Sequence, residues 1–247
     1  MATPFQDKIA FINGGSRGIG AAIARRLARD GASVALTYRD SAAAAEALAA
    51  DIEAAGGRAL ALRCDAADPA SLRDAIDSVA EQLGRIDILV NNAGVFRGGT
   101  VDTATLEDFD STVGINLRSV FAATQAVLRH MPQGGRIVNI SSCNALRMPM
   151  AGAAIYAMSK SALTGLVKGL AHDLAPRGIT VNNVLPGPVD TDMNPENNEF
   201  GQGLHRFMAL QRHGRPEEVA GMVAYLASFE AGFVTGADLL IDGGFAA

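Results

Sequence analysis

The chain has 247 residues, 49% of them hydrophobic and 19% charged, with a formal net charge of −5. That is enough apolar material for one large α/β core. The acidic balance, the lack of Trp and the 5% aromatic content argue against gripping a phosphate backbone or stacking single-stranded bases.

Lys8–Ile12 (KIAFI) is a short apolar run of the kind that becomes a buried strand, and it leads into NGGSRGIG, Asn13–Gly20, and an alanine-rich amphipathic stretch closed by Gly31. Strand, glycine turn and helix form the context in which Gly14, Gly18 and Gly20 can bring backbone N–H groups against a diphosphate at a helix N-terminus. Ser33–Thr37 reads as a second strand, Ala42–Ala55 as a helix stopped by Gly56-Gly57, and Ala59–Arg63 as a third strand followed by Asp65. Pro69 starts a helix reaching Leu83; Ile86–Val90 is a fourth strand ending in Asn91-Asn92-Ala93-Gly94; Leu106–His130 holds two helical stretches. Arg136–Ile140 is a fifth strand ending at Ser141-Ser142, Ala157–Ala175 a helix, and Thr180–Leu185 a sixth strand ending in PGPVDT. Residues 190–212 break the rhythm as a polar, Asn- and Gly-rich loop, before a helix over Pro216–Ser228 and a last strand at Leu239–Ile241.

This alternation predicts a single domain, residues 1–247: a Rossmann-type, doubly wound parallel sheet of about seven strands with helices on both faces. Ligands of such a sheet bind beyond the carboxyl ends of its strands, where Gly14–Gly20, Asn92, Ser142 and Pro186–Thr191 all fall.

Tyr156 and Lys160 stand four residues apart in YAMSK. On a helix they share a face one turn apart, and an ammonium beside a phenol favours the phenolate, lowering a pKa of about 10 towards the range useful for acid–base work. Cys64 and Cys143 show neither a disulfide framework nor metal-ligand spacing. His130, His172, His205 and His213 are scattered, so surface or loop roles and no metal are expected. No signal segment opens the chain and no apolar run approaches membrane-span length, so a cytoplasmic protein is expected, with neither membrane nor nucleic acid as partner.

Taken together, Gly14-x-x-x-Gly18-x-Gly20, Asp65, Asn91-Asn92-Ala93-Gly94, Asn116, Ser142, Tyr156-x-x-x-Lys160, Pro186-Gly187, Thr235-Gly236 and Asp242-Gly243-Gly244 resemble the short-chain dehydrogenase/reductase family over essentially the whole chain. Within it the chain is similar to the 3-oxoacyl-carrier-protein reductase type. Its last third also resembles members described as biofilm-dispersal proteins that bind cyclic di-GMP. The resemblance implies Ser142 as the group orienting a substrate carbonyl and Tyr156 as general acid or base. It further implies Lys160 as the ribose ligand that tunes Tyr156, and Asn116 as the holder of a relay water. The cofactor site it implies comprises Gly14, Ser16, Arg17, Gly18, Ile19, Gly20, Tyr38, Arg39, Asp65, Ala66, Asn92, Ala93, Gly94, Tyr156, Lys160, Pro186, Gly187, Val189 and Thr191. Departures from the family pattern are Asn13 at the first turn, Ala145 where a glycine often follows the serine, and a Ser142–Tyr156 spacing longer by one.

Two readings follow: a carbonyl reductase acting on a small molecule, or a regulator binding a cyclic dinucleotide on the same fold. For the enzyme, charge at the end of the second strand selects NADP(H) over NAD(H). Thr37–Tyr38 supply no carboxylate for a ribose hydroxyl, Arg39 follows at once, and Arg17 faces the same corner from the glycine loop. Asp40 then reads, with Ser41, as a cap for the next helix. The resemblance also implies a homotetramer, packed through Leu106–His130 and Ala157–Ala175 on one axis and through the C-terminal strand and its preceding helix on another.

Overall fold

A computed structural model describes residues 3–247. In chain order the strands are β1 Ile9–Asn13, β2 Ser33–Tyr38, β3 Arg58–Arg63, β4 Ile88–Asn91, β5 Arg136–Ile140, β6 Thr180–Pro186 and β7 Asp238–Ile241. The α-helices are α1 Gly18–Arg29, α2 Ala42–Ala54, α3 Pro69–Leu83, α4 Leu106–Val113, α5 Ser119–Val127, α6 Ala154–Leu174, α7 Glu199–Leu204 and α8 Pro216–Ala227.

The central strands are apolar runs because both of their faces are covered. β1 and β4 are buried at every position, and so is all of β6. The strands form one seven-stranded sheet in the order β3-β2-β1-β4-β5-β6-β7, with every pairing parallel. One apolar layer packs α1, α2 and α8 on one face, and a second packs α3, α5 and α6 on the other. The strand order reverses between β1 and β4, and that switch point opens the crevice in which an open α/β sheet takes its ligand.

Most element ends shift by one residue from the sequence reading, and three larger differences each have a local reason. β4 starts at Ile88 rather than Ile86 because Asp87 turns its buried carboxylate to the Ile9 N–H, 3.1 Å away, and to Lys8 Nζ. α6 starts three residues before Ala157, so that Tyr156 and Lys160 lie on one helix. The two helical stretches of 106–130 are joined without a break by a π-turn, Gly114–Arg118, whose wider coil places Gly114, Ile115 and Asn116 together on the buried side.

Beneath the switch point runs a row of amides that sequence patterning does not reveal. Asn13, Asn91, Asn139, Asn183 and Asp238 are register partners on five adjacent strands. Asn91 Nδ2 donates to Asn139 Oδ1 at 2.9 Å, Asn139 Nδ2 to Asn183 Oδ1 at 2.9 Å, and Asn183 Nδ2 to Asp238 Oδ1 at 2.7 Å. Asp238 accepts at the end of the row, which orients the amides of Asn183, Asn139 and Asn91 in one direction. The bonding stops at Asn91, since Asn91 Oδ1 and Asn13 Nδ2 have no partner among the described residues. Thr37 Oγ1 instead links Asn13 to the glycine loop, donating to Asn13 Oδ1 and accepting the Gly14 N–H. Asn13 therefore bonds to a side chain rather than capping backbone. Replacing Asn139 by Leu strands a donor and an acceptor in a dry sheet. The expected loss is about 3 kcal/mol, read from the urea midpoint at fixed protein concentration; an unchanged midpoint would show that the row contributes nothing.

Candidate active site

The glycine loop leaves β1 and enters α1. Gly14 has φ +77°, and a side chain there would stand 2.8 Å from the Ala93 Cα; one at Gly20 would stand 2.2 Å from the Gly14 carbonyl oxygen. The loop is thus packed bare against the end of β4. Asn92 fixes that contact, donating from Nδ2 to the Gly14 carbonyl at 2.5 Å. α1 has no side-chain N-cap and no acidic residue in its first turn, which leaves its N-terminal N–H groups and dipole available to an anion. Ser16, Arg17, Gly18 and Ile19 form this corner. Ala93 and Gly94 follow the end of β4 beside Gly14, Pro186 ends β6, and Gly187, Val189 and Thr191 come from the segment beyond it. The side chain of Thr191 approaches Gly18, where a Cβ would lie 3.3 Å from its Cγ2.

At the outer end of the crevice a cavity of about 370 Å³ is lined by Arg39, Asp40, Arg63, Cys64, Asp65 and Ser71. Tyr38 and Ala66 flank it in sequence. Asp65 accepts the Ala67 N–H at 2.9 Å and so holds the turn after β3. Two expectations are corrected here. Arg17 does not share this corner with Arg39; its guanidinium lies 3.8 Å from Asp192, and both side chains are exposed. Asp40 does not cap α2, whose N-cap Ser41 makes no side-chain bond either; the Asp40 carboxylate instead accepts from Arg39 Nε at 2.6 Å. The second guanidinium at the cavity is Arg63, which the sequence reading missed. It is the register partner of Tyr38 on the neighbouring strand and donates to the Arg39 carbonyl at 3.4 Å. The charge at the end of β3, opposite the end of β2, was the signal available for it.

At the inner end Ser142 caps the turn after β5, its Oγ accepting the Asn144 N–H at 3.1 Å, and it stands near enough to Tyr156 to pull the phenol pKa down. Lys160 is buried, and its Nζ donates to the Ile140 carbonyl at 2.8 Å, 5.8 Å from the centre of the Tyr156 ring. Phe96 meets Tyr156 edge-on at 5.2 Å and is itself half exposed at the mouth of the crevice. Burial pushes the Tyr156 phenol up to about 12, against the downward pull of Ser142, and burial pulls Lys160 down to about 8. The expected lowering of the phenol is therefore not realised in the chain alone. The Lys160 ammonium is spent on the Ile140 carbonyl and does not offset the desolvation of the phenol. A phenol held protonated is a proton donor.

Asn116 is equally committed. Its Oδ1 accepts the Val95 N–H at 2.8 Å, and its Nδ2 donates to the Val95 carbonyl and to Ser159 Oγ, both at 3.0 Å. The side chain clamps the loop after β4 to the π-turn and to α6.

Two histidines are not scattered, as the sequence reading had them. His213 is buried at 2% exposure and its Nδ1 lies 3.0 Å from His205 Nε2. Sequence spacing hides this because the loop folds back on itself.

The bare glycine cradle, the open helix N-terminus and the guanidinium-lined cavity at the far end fit a dinucleotide with an extra phosphate, and the Ser142–Tyr156–Lys160 cluster lies where its reactive end would come. Comparison with known proteins agrees with this arrangement. The profile described as enoyl-(acyl carrier protein) reductase matches residues 14–246. The chain belongs to the short-chain dehydrogenase/reductase family. It is 51% identical to the cyclic-di-GMP-binding biofilm dispersal mediator protein of Escherichia coli, over 98% of this chain and 99% of that one. It is 40% identical to the 3-oxoacyl-[acyl-carrier-protein] reductase of the same organism, over 97% and 98% respectively. A short-chain dehydrogenase from Burkholderia cenocepacia, solved in complex with NADP, is 52% identical and superposes with a TM-score of 0.97, covering 99% of this chain and 100% of that one. Among the described residues no helix is long and apolar enough to cross a membrane.

Proposed function

We propose that the chain acts as one domain that reduces a small ketone or 3-oxo compound to a secondary alcohol with NADP(H), residues 190–212 serving as its substrate loop. The observation that carries this reading is the meeting of buried Ser142, Tyr156 and buried Lys160 at the inner end of a crevice whose outer end holds Arg39 and Arg63. The cofactor supplies the hydride. Ser142 holds the substrate oxygen by donating its hydroxyl proton, and Tyr156 delivers a proton to that oxygen as negative charge grows on it. Lys160 positions the cofactor ribose and stabilises the tyrosinate left behind. Asn116 keeps the π-turn and the Val95 loop in register with α6. Gly14 to Gly20 with Asn92 seat the diphosphate, Asp65 faces the adenine, and Pro186, Gly187, Val189 and Thr191 border the nicotinamide. Phe96 offers an apolar wall, which suits a substrate with a hydrocarbon arm beside its carbonyl.

The test follows nicotinamide absorbance over a panel of ketones, β-keto esters and diketones with each cofactor. Turnover of at least one carbonyl with NADPH in preference to NADH is expected, and none with either would remove the enzyme reading. The 51% identical relative gives a second reading, binding of a cyclic dinucleotide, which equilibrium dialysis against cyclic di-GMP decides.

The pH dependence has a definite sign. Lys160 loses its charge as pH rises through about 8, so kcat/KM for reduction should fall above that pH. A profile flat to about pH 9.5 would show that the ammonium is not needed.

Assembly into a homotetramer belongs to the same proposal. The two faces involved carry large exposed apolar side chains: Leu106, Phe109 and Phe121 on α4 and α5, and Tyr225, Phe229, Phe233 and Leu240 around α8 and β7. Patches of this kind on a soluble chain mark association surfaces. A stable monomer by sedimentation at micromolar concentration would contradict it.

A further inference from the structure

The segment between β6 and α8 folds so that three donors along it, Glu196, His205 and His213, converge. Glu196 precedes α7, His205 follows it, and His213 immediately precedes Gly214, which forms an isolated bridge with Val189 in the chain leaving β6. His205 Nε2 lies 3.0 Å from His213 Nδ1 and 3.2 Å from Glu196 Oε1, while His213 Nδ1 lies 4.0 Å from the same oxygen. Bonds of about 2.0–2.1 Å from a tetrahedral zinc ion would place its ligand atoms about 3.3 Å apart, in the middle of these separations. The three side chains grade from closed to open: that of His213 is 0% exposed, that of His205 25% and that of Glu196 38%. A fourth position therefore faces solvent, as a site with three protein ligands and a water requires.

The surroundings orient the donors. Glu196 Oε1 accepts the His213 N–H at 3.0 Å, and the Glu196 N–H donates to Asp190 Oδ1 at 3.0 Å. Asn194 reaches the remaining ring nitrogen of His213, Nε2, at 3.2 Å. With Nδ1 on a metal, Nε2 must carry a proton, and an Asn amide turned to present its oxygen accepts it, the outer-shell partner that a metal-bound histidine ordinarily has.

We propose that Glu196, His205 and His213 bind one zinc-type divalent cation that staples the segment over residues 194–213. The cation holds the segment together, with water completing its coordination. Its segment abuts the glycine loop through Thr191 and through the Arg17–Asp192 pair, so the cation fixes the wall of the crevice without touching Tyr156.

Untagged full-length protein, freed of metal by a chelator, is titrated with Zn²⁺ against a chromophoric competitor and with Co²⁺ by its visible absorption. One equivalent per chain with submicromolar affinity is expected, with the intense bands of a tetrahedral cobalt site. Glu196→Gln and His205→Gln should each weaken binding by about 100-fold while His172→Gln leaves it unchanged. Both altered residues are partly exposed, and circular dichroism checks that the variants fold. Zn²⁺ should also slow proteolytic cutting within 195–212 in the wild type and not in the variants. No stoichiometric binding, or binding equal in wild type and both variants, would overturn the site.

Discussion

Tyr156→Phe is expected to lower kcat by about 10³-fold while NADPH affinity stays within a factor of two or so, because the change removes one hydroxyl and leaves the ring against Phe96. The effect should be large because no second acid stands ready. Asn116 is bonded at both ends of its amide, Cys143 is buried with its thiol pushed up to about 12, and Lys160 is spent on the Ile140 carbonyl. Ser142 can orient an oxygen, but its own proton is far too weakly acidic to replace a phenol. Steady-state kinetics with cofactor fluorescence titration separates the two effects. Near wild-type turnover in the variant would show that the proton comes from elsewhere.

The second large effect concerns the cavity beyond β2 and β3. Arg39→Ala and Arg63→Ala should each weaken NADPH by about 10- to 150-fold and barely alter NADH, since each guanidinium would donate a charge-assisted bond worth about 1.5–3 kcal/mol to a 2′-phosphate. Arg17→Ala should matter less, because that side chain is drawn to Asp192. Asp40 competes for the same guanidinium as the phosphate, so Asp40→Ala should leave NADPH binding intact or strengthen it. An NADPH preference unmoved in Arg39→Ala and Arg63→Ala alike would mean that the cavity is not where the phosphate sits.

Much of this architecture was legible because its signals are local. Uninterrupted apolar strands, a glycine turn before an amphipathic helix, and Pro69 opening α3 can each be read from a few neighbouring residues. What escaped is what depends on register and on chain return. The row from Asn13 to Asp238 exists only once five strands align, and Arg63 meets Arg39 only because β3 lies beside β2. His205 and His213 come together only when the segment after β6 turns back. The raised phenol of Tyr156 is a matter of burial, which a helical spacing of four cannot report.

The measurement closest to the central claim is isotopic. Wild-type protein is run with a carbonyl substrate and NADPH deuterated at the transferable position, and the alcohol is weighed by mass spectrometry. The expected result is one deuterium on the carbinol carbon, lost together with turnover in Tyr156→Phe. NADPH oxidised without label in any alcohol, or not oxidised by any carbonyl offered, would contradict the assignment of this crevice as a reductase site.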